Sequence, residues 1–262
     1  MKIACAGDNC IDFYEQTGER FPGGNPVNVA VNIKRLGGDS SYIGAVGNDE
    51  NGTLVLSALK SRGVDVSYVR TDEGNTTVSH VVMNGSERTF AAYDEGVMAG
   101  FRLTPDDVRF ICGHELFVTS LWGHCEDMMC SIKNSGVPTA FDASERPFSK
   151  AAKTAAPHTD IFFFSDDRSE LDELKVEMKQ ILDLGAGTVV AMRGKNGSMA
   201  MNSNETVLRG IVSEDVLDTM GAGDSFIAGF LTSWVSGRTL KECMKAGAES
   251  AAVTIRVHGA WA

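Results

Sequence analysis

The chain has 262 residues, of which 43% are hydrophobic and 23% are charged, so a sizeable core is expected and disorder is not. Its formal net charge of −11 argues against a nucleic-acid-binding surface. No apolar run reaches the roughly 18 residues of a membrane span. An anionic ligand would have to be neutralised locally by backbone amides, a metal ion or a few basic residues.

The six cysteines do not have the two-residue spacing of zinc and redox motifs. Several lie in apolar segments, which predicts small buried side chains in a reducing compartment and hence a cytoplasmic protein. The first seven residues predict a core strand rather than a signal peptide.

The first strand, over 3–7, leads into a polar turn that ends at Asp12. A dinucleotide-binding fold would place G-x-G-x-x-G at this turn, and neither that motif nor a P-loop is found in the sequence. A dehydrogenase and a P-loop NTPase are therefore disfavoured. Asp12 by itself is interpreted as a solvated turn acid.

The stretch 21–30 reads Phe-Pro-Gly-Gly-Asn-Pro-Val-Asn-Val-Ala. Asn25 is predicted to cap a helix, and Pro26 suits the first helical position. A capped helix does not explain Gly24 and its neighbour Gly23, which allow a close approach to the backbone. Nor does it require Asn28 one turn later.

Strands over 41–46 and 66–70 alternate with helices, which predicts a parallel sheet covered by helices. Residues 76–93 break this rhythm with two alternating strands around Asn84-Gly85, a strong hairpin signal. We interpret this hairpin as a lid, joined by residues 12–22. We expect an exposed apolar sheet face, formed by Val81, Met83 and Phe90, that favours contact with another surface.

Later strands are predicted over 116–118, 139–142, 161–164 and 189–192, followed by short strands over 198–202 and 205–209. Ligands bind at the carboxyl ends of such strands, which makes Trp122 and His124 site candidates, although a packed Trp and a capping His are ordinary alternatives. A metal cluster around His114 and His124 is rejected because its spacing matches no known site. Thr104 and Thr239 are predicted helix caps, the latter for a last helix through 257.

The stretch 218–226 reads Asp-Thr-Met-Gly-Ala-Gly-Asp-Ser-Phe and is predicted to run from the end of an apolar strand into a long helix. Small residues at 221–223 let amide groups point one way, and the helix dipole adds positive charge, which suits a phosphate. Asp224 in the first turn would be placed to accept a hydroxyl proton. Taken alone, the tetrapeptide 221–224 is better explained as an ordinary loop-to-helix junction with Asp224 as an N-terminal cap.

The longer run from Asp218 to Gly229 resembles the C-terminal signature of the PfkB, or ribokinase-like, family of carbohydrate kinases, and 21–30 resembles its N-terminal signature. The resemblance covers nearly the whole chain. It implies an α/β three-layer sandwich in one domain over 1–262, with lid segments at 12–22 and 76–98. It also implies ATP and Mg²⁺, a small sugar as substrate, a homodimer formed through the lid, and a monovalent cation near Asp218.

The resemblance also implies roles for individual residues. Asp224 would be the catalytic base, assisted by the amides of Gly221, Ala222 and Gly223. The other implied positions are Asp12, Gly24, Asn25 and Asn28 on the sugar; Gly194, Gly197, Asp218 and Thr219 on ATP; and Glu170 on Mg²⁺ through water. The family usually has Asn-x-x-Glu at this last motif, whereas this chain has Asp167 in place of the Asn. Arg88 is either a solvated edge charge or a contact to the phosphate-bearing end of the acceptor.

Five short stretches, at 7–12, 23–31, 95–99, 122–127 and 258–261, are similar to the branch of the family that phosphorylates fructosamines. This similarity implies transfer to O6 of a fructosylated lysine, whose ammonium would need an acidic partner. The candidates are Glu15, Asp94, Glu95 and Glu126. The alternatives are the same fold acting on another sugar, a sugar acid or a nucleoside, a non-catalytic sugar or nucleotide sensor, and an NAD-dependent oxidoreductase.

Overall fold

A computed structural model describes residues 1–84, 87–213 and 215–261, and the side chains of 83–90 lie outside the description. The main sheet of the described residues has nine strands in the order β13-β12-β11-β10-β9-β8-β1-β4-β5. The strands from β11 to β5 are parallel, and β12 and β13 are antiparallel additions at one edge. Their bounds are β1 Lys2–Ala6, β4 Asp39–Gly47, β5 Asp65–Asp72, β8 Leu116–Ser120, β9 Thr139–Asp142, β10 Ile161–Ser165, β11 Thr188–Met192, β12 Ser198–Asn202 and β13 Thr206–Arg209.

The eight α-helices of the described residues cover both faces of this sheet. Their bounds are α1 Asn25–Arg35, α2 Glu50–Ser61, α3 Pro105–Ile111, α4 Met129–Asn134, α5 Lys150–Ala155, α6 Leu171–Asp183, α7 Ala222–Val235 and α8 Leu240–Thr254. One core packs beneath α1, α2, α7 and α8, and the other packs beneath α3 to α6. The expected three-layer α/β architecture is confirmed.

Alternation along the strands fills the two cores. In β1, Ile3 and Cys5 point to one core, and Ala4 and Ala6 point to the other. All four are fully buried, as expected for a parallel strand covered on both faces. No helix in the described part of the chain is long and apolar enough to cross a bilayer.

A second, smaller sheet has the order β3-β2-β6-β7. Its strands are β2 Cys10–Tyr14, β3 Arg20–Gly23, β6 Val78–Asn84 and β7 Glu87–Asp94. The predicted hairpin is therefore joined by the segment 12–22, and β2 pairs with β6 in parallel. The expectation that Val81 is exposed is wrong, because this side chain is fully buried. The predicted turn residue Gly85 and the side chains of Met83, Phe90 and Arg88 lie outside the described residues.

Two boundary predictions are wrong for a local reason. The stretch from Asp218 does not follow a strand, because β13 ends at Arg209 and an irregular segment intervenes. Its apolar side chains at 211, 212, 216 and 217 are 43–56% exposed rather than packed in the sheet. The amide of Leu217 instead donates to the carbonyl of Ile255, just after α8, which itself ends at Thr254 rather than at 257.

Two of the three predicted helix caps are confirmed, and the third is wrong. Thr104 and Thr239 each form a capping box with an acid three residues later, Asp107 and Glu242 respectively. Asn25, however, is the first residue of α1 rather than its cap. Gly24 holds the cap position at φ 107°, which frees the Asn25 side chain for other partners.

Candidate active site

The start of α7 is brought to the carboxyl ends of three parallel strands. Gly221 adopts the left-handed conformation at φ 68° immediately before the helix, and Asp224 lies in the first turn at only 8% exposure. Strands β1, β8 and β9 end beside it. Asp8 follows β1, Ser120 is the last residue of β8, and Asp142 is the last residue of β9. This edge is where open α/β sheets bind their ligands.

Asn25 and Asn28 hold the Asp224 carboxylate from the first turn of α1. The Asn25 side-chain amide donates to Asp224 Oδ1 at 3.1 Å, and that of Asn28 donates to Oδ2 at 2.8 Å. Asn25 also donates from its side chain to Asp142 Oδ2 at 2.9 Å and from its backbone to Asp8 Oδ2 at 3.0 Å. Three buried carboxylates, Asp8, Asp142 and Asp224, thus surround one asparagine; we call them the carboxylate cluster.

Burial raises the pKa of every member of the carboxylate cluster. For Asp224 the pKa lies well above its ordinary value because of desolvation, with repulsion from Asp142 and Asp8 adding to the effect. The amides of Asn28 and Asn25 act in the opposite direction. A carboxylate that is desolvated yet held by neutral donors is a stronger proton acceptor than one in water.

A cleft of about 880 Å³ lies next to this cluster, between the end of β11, the start of α7 and the last turns of α8. Of the predicted ATP-side residues, Gly194, Gly197 and Thr219 line it. Ala222 and Gly223 line it at the helix start. Arg168 and Lys195 supply positive charge, and the apolar wall includes Val212, Val216, Ala251 and Ile255. This combination suits a flat base at one end and phosphates at the other.

Two further predicted residues shape the loop instead of lining the cleft. The Asp218 carboxylate accepts the amide protons of Met220 at 2.8 Å and Gly259 at 2.9 Å. A Cβ on Gly221 would lie 2.6 Å from the Ala260 Cβ. Both residues therefore dock the loop onto the segment that follows α8.

The acceptor-side candidates lie around the carboxylate cluster. Asp12 is buried in β2, and Glu95 Oε1 lies 3.7 Å from His124 Nε2. His124 adopts φ 51°, an uncommon conformation for a side chain-bearing residue. Trp122 is 37% exposed and stacks under Arg146 at 5.1 Å.

Comparison with known proteins identifies the family. The family model "pfkB family carbohydrate kinase" matches residues 3–262. The chain belongs to the pfkB family of carbohydrate kinases. It is 42% identical over 259 residues to the fructoselysine 6-kinase of Shigella flexneri and 41% identical to that of Escherichia coli, covering 99% of each chain in both cases. It is also 35% identical to a fructosamine kinase of Bacillus subtilis, over 100% of this chain and 93% of that protein.

Solved structures show the same fold at lower identity. Ribokinase of Arabidopsis thaliana in complex with ribose and ATP superposes with a TM-score of 0.85 and 20% identity, covering 99% of this chain and 93% of that one. The predicted ribokinase-like fold is thereby confirmed, and this protein is a carbohydrate kinase. A phosphate-transferring enzyme accounts for a cleft that holds Arg168 and Lys195 next to a buried carboxylate.

The residues of this pfkB kinase fit Mg²⁺ only as a nucleotide-bound ion. No group of three His, Cys, Asp or Glu side chains in the described residues could hold a metal. Mg²⁺ ordinarily keeps several waters and binds phosphates with one or two carboxylates, so no closed cage is needed. Asp167 lines the cleft, whereas Glu170 is exposed at the start of α6 and is not among the described lining residues. The role of Glu170 stays a prediction.

Sequence reasoning missed three residues of this site. Asp8 and Asp142 stand at carboxyl ends of strands, so the rule that selected Trp122 and His124 could have found them. Tyr93, near the end of β7, faces the same group of acids. Partial burial, with Asp8 and Glu95 nearby, raises its pKa. Apart from its position in the predicted hairpin, no sequence pattern marks Tyr93 as a site residue.

The pKa of Asp142 gives a testable pH dependence. Burial raises it to about 6, well above the value of roughly 3.9 in an unfolded chain. Between these values the folded state binds more protons than the unfolded state, so the stability contribution is present at low pH and is lost as pH rises through about 6. We expect the wild type to gain roughly 1–2 kcal/mol relative to Asp142→Asn between pH 8 and pH 5.

Urea unfolding of both proteins at pH 5, 6, 7 and 8 measures this difference. Comparing two variants at each pH removes the contributions of His114 and of the surface acids, which are common to both. Parallel stability curves would mean that Asp142 is not protonated in this range.

Proposed function

We propose that this protein is a fructoselysine 6-kinase, which transfers the γ-phosphoryl group of ATP to O6 of fructoselysine. The observation that supports this most directly is the position of Asp224, between the amides of two asparagines and the loop that opens onto the cleft. The full-length identity of 41–42% to two fructoselysine 6-kinases supports the choice of acceptor. Mg²⁺, when bound, would neutralise charge on the transferring phosphate.

In the proposed reaction, O6 of the sugar lies beside Asp224 and the phosphates of ATP lie along the cleft. The hydroxyl proton moves to the Asp224 carboxylate as the O6–phosphorus bond forms, and the bond from phosphorus to the bridging oxygen of ADP breaks. Backbone amides at 221–223 and the dipole of α7 stabilise the charge on the transferring group. Asp12, Gly24, Asn25 and Asn28 orient the sugar.

The fructosamine acceptor differs from fructose by a cationic amine and an amino-acid tail. We choose Glu95 as the partner of this amine, because it is partly exposed and the His124 ring, 3.7 Å away, is too distant for a hydrogen bond. Glu15 is already bonded to His80 Nδ1 at 2.6 Å, and Asp94 accepts the amide of Gly96. A carboxylate with spare hydrogen-bonding capacity at the rim of an acidic site favours a cationic acceptor over a neutral sugar.

A kinase assay over several acceptors tests the function. ADP release is followed with ATP, Mg²⁺ and fructoselysine, fructose, a sugar acid or a nucleoside, and phosphorus NMR locates the phosphate on the product. We expect kcat/KM to be highest for fructoselysine with the phosphate on O6. A higher value for another acceptor would move the protein to that branch of the family. ATP binding without turnover on any acceptor would favour the sensor, and a cofactor-linked absorbance change would favour the oxidoreductase.

Glu95→Gln is expected to lower the ratio of kcat/KM for fructoselysine to that for fructose by about tenfold, since a charge-assisted hydrogen bond is lost. Glu15→Gln, whose carboxylate bonds His80 in the wild type, is the matched control and should leave the ratio unchanged. An unchanged ratio in Glu95→Gln would remove this residue from acceptor selection.

We infer four further properties with this function. The kinase is expected in the cytoplasm and is expected to form a dimer through the small sheet. A monovalent cation near Asp218 would add to the positive field at the loop. Arg88, on β7, is a candidate contact to the acceptor.

A further inference from the structure

The segment that follows α8 packs directly on the loop before α7. Gly259 donates its amide to Asp218 Oδ2, and Ala260 is 8% exposed against Gly221. Only glycine fits at 221, because any Cβ there would lie 2.7 Å from the Ala260 backbone. The segment 258–261 and the loop 218–221 therefore form one packed unit.

Trp261, at the end of this unit, reaches an asparagine of the site. Its indole Nε1–H donates to Asn28 Oδ1 at 2.7 Å. Because the indole N–H can only donate, it fixes which end of the Asn28 amide faces it. The oxygen of that amide must point to Trp261, and its NH₂ group must point to Asp224 Oδ2, 2.8 Å away.

Asp224 depends on this orientation because its other charged neighbours repel it. Asp8 and Asp142 approach it as like charges. Asn25 is its second amide donor, but that side chain is shared with Asp142. If the Asn28 amide turned over, its oxygen would face the carboxylate and replace an attraction by a repulsion.

We propose that Trp261 is a positioning residue: its indole N–H locks the Asn28 amide in the orientation that holds the Asp224 carboxylate in place for proton transfer. This inference rests on the proposed role of Asp224 as the base. Trp261 acts through Asn28 and needs no contact with either substrate. Trp261 therefore controls the orientation of Asn28 in α1, although it lies 233 positions later in the chain.

Trp261→Phe removes the N–H and keeps an aromatic ring. We expect kcat to fall about tenfold, the loss of one hydrogen bond to a charge-bearing network, with KM for ATP unchanged. We also expect the acidic limb of the kcat/KM profile to move upward by about one pH unit, since the carboxylate loses a stabilising donor. A purely structural role would lower the melting temperature without moving that limb.

A double-mutant cycle shows whether the effect passes through Asn28. Asn28→Ala combined with Trp261→Phe should be no slower than Asn28→Ala alone, because the lock has nothing left to orient. Arg62→Met is the control for the ring environment: Arg62 lies over the indole at 5.9 Å, and its loss leaves the N–H in place. This variant should retain the wild-type pH profile.

Should Trp261→Phe fold poorly, β-(3-benzothienyl)alanine at position 261 keeps the full ring and replaces only the N–H by sulfur. The same pH shift is expected for it. Additive losses in the cycle, or an unmoved acidic limb in either variant, would overturn the inference while leaving the proposed base intact. A wild-type rate for Asp224→Asn would instead overturn the base, and this inference with it.

Discussion

Asp224→Asn is expected to fold, to bind ATP and to lose on the order of 10²–10⁴ in kcat. An alcohol does not ionise at neutral pH, so removing the proton acceptor slows the chemical step rather than binding. The fold should survive because the substitution removes the charge of a carboxylate that is 8% exposed and crowded by two others. KM for ATP should change little, since the cleft is lined by other residues.

Asp142→Asn is the matched control for this substitution. Asp142 accepts a bond from the same Asn25 amide, but it lies at the end of β9 and not in the first turn of α7. Its replacement is expected to cost much less in kcat than that of Asp224. Equal losses in steady-state assays of the two variants would mean that support of Asn25, and not proton transfer, explains the effect. Calorimetry with ATP checks that both variants bind nucleotide.

The elements that the sequence predicts well are those with local signals. The alternation of apolar strands with helices predicted the parallel sheet, and Thr104 and Thr239 marked two capped helices. The small residues at 221–223 predicted a sharp turn into α7. The resemblance added Asn25 and Asn28, whose partner across the fold no local pattern names.

The residues that were missed depend on register and tertiary contact. Asp8 and Asp142 meet because β1, β8 and β9 are parallel and end at one edge, and a single strand does not reveal its neighbours. The stretch 258–261 was singled out by its similarity, but the contact of Trp261 with Asn28, 233 positions away, was not indicated by it. The apolar run before Asp218 suggested a strand, but its described residues join neither sheet and several of them line the cleft.

Gly24→Ala is the second substitution with a large expected effect. Gly24 adopts φ 107°, and a Cβ there would lie 2.7 Å from both the Asn9 Cα and the carbonyl oxygen of Asp8. These are backbone atoms, so the strand end or the start of α1 must move. We expect a loss of stability on the order of 3 kcal/mol from strain and overpacking. We also expect kcat/KM to fall about 100-fold, because Asp8 and Asn25 are displaced together.

Gly37→Ala separates these two effects. Gly37 has a similar positive φ, 83°, but nothing lies within 4 Å of a Cβ built there. It should therefore lose stability from backbone strain alone and keep its activity. Thermal unfolding and kcat/KM are measured for both variants. Equal losses of activity would mean that backbone strain far from the site is enough to lower activity. If only Gly24→Ala loses activity, the close approach of α1 to the end of β1 explains why residue 24 is glycine. The same contact that brings Asn25 to Asp8 leaves no room for a methyl group.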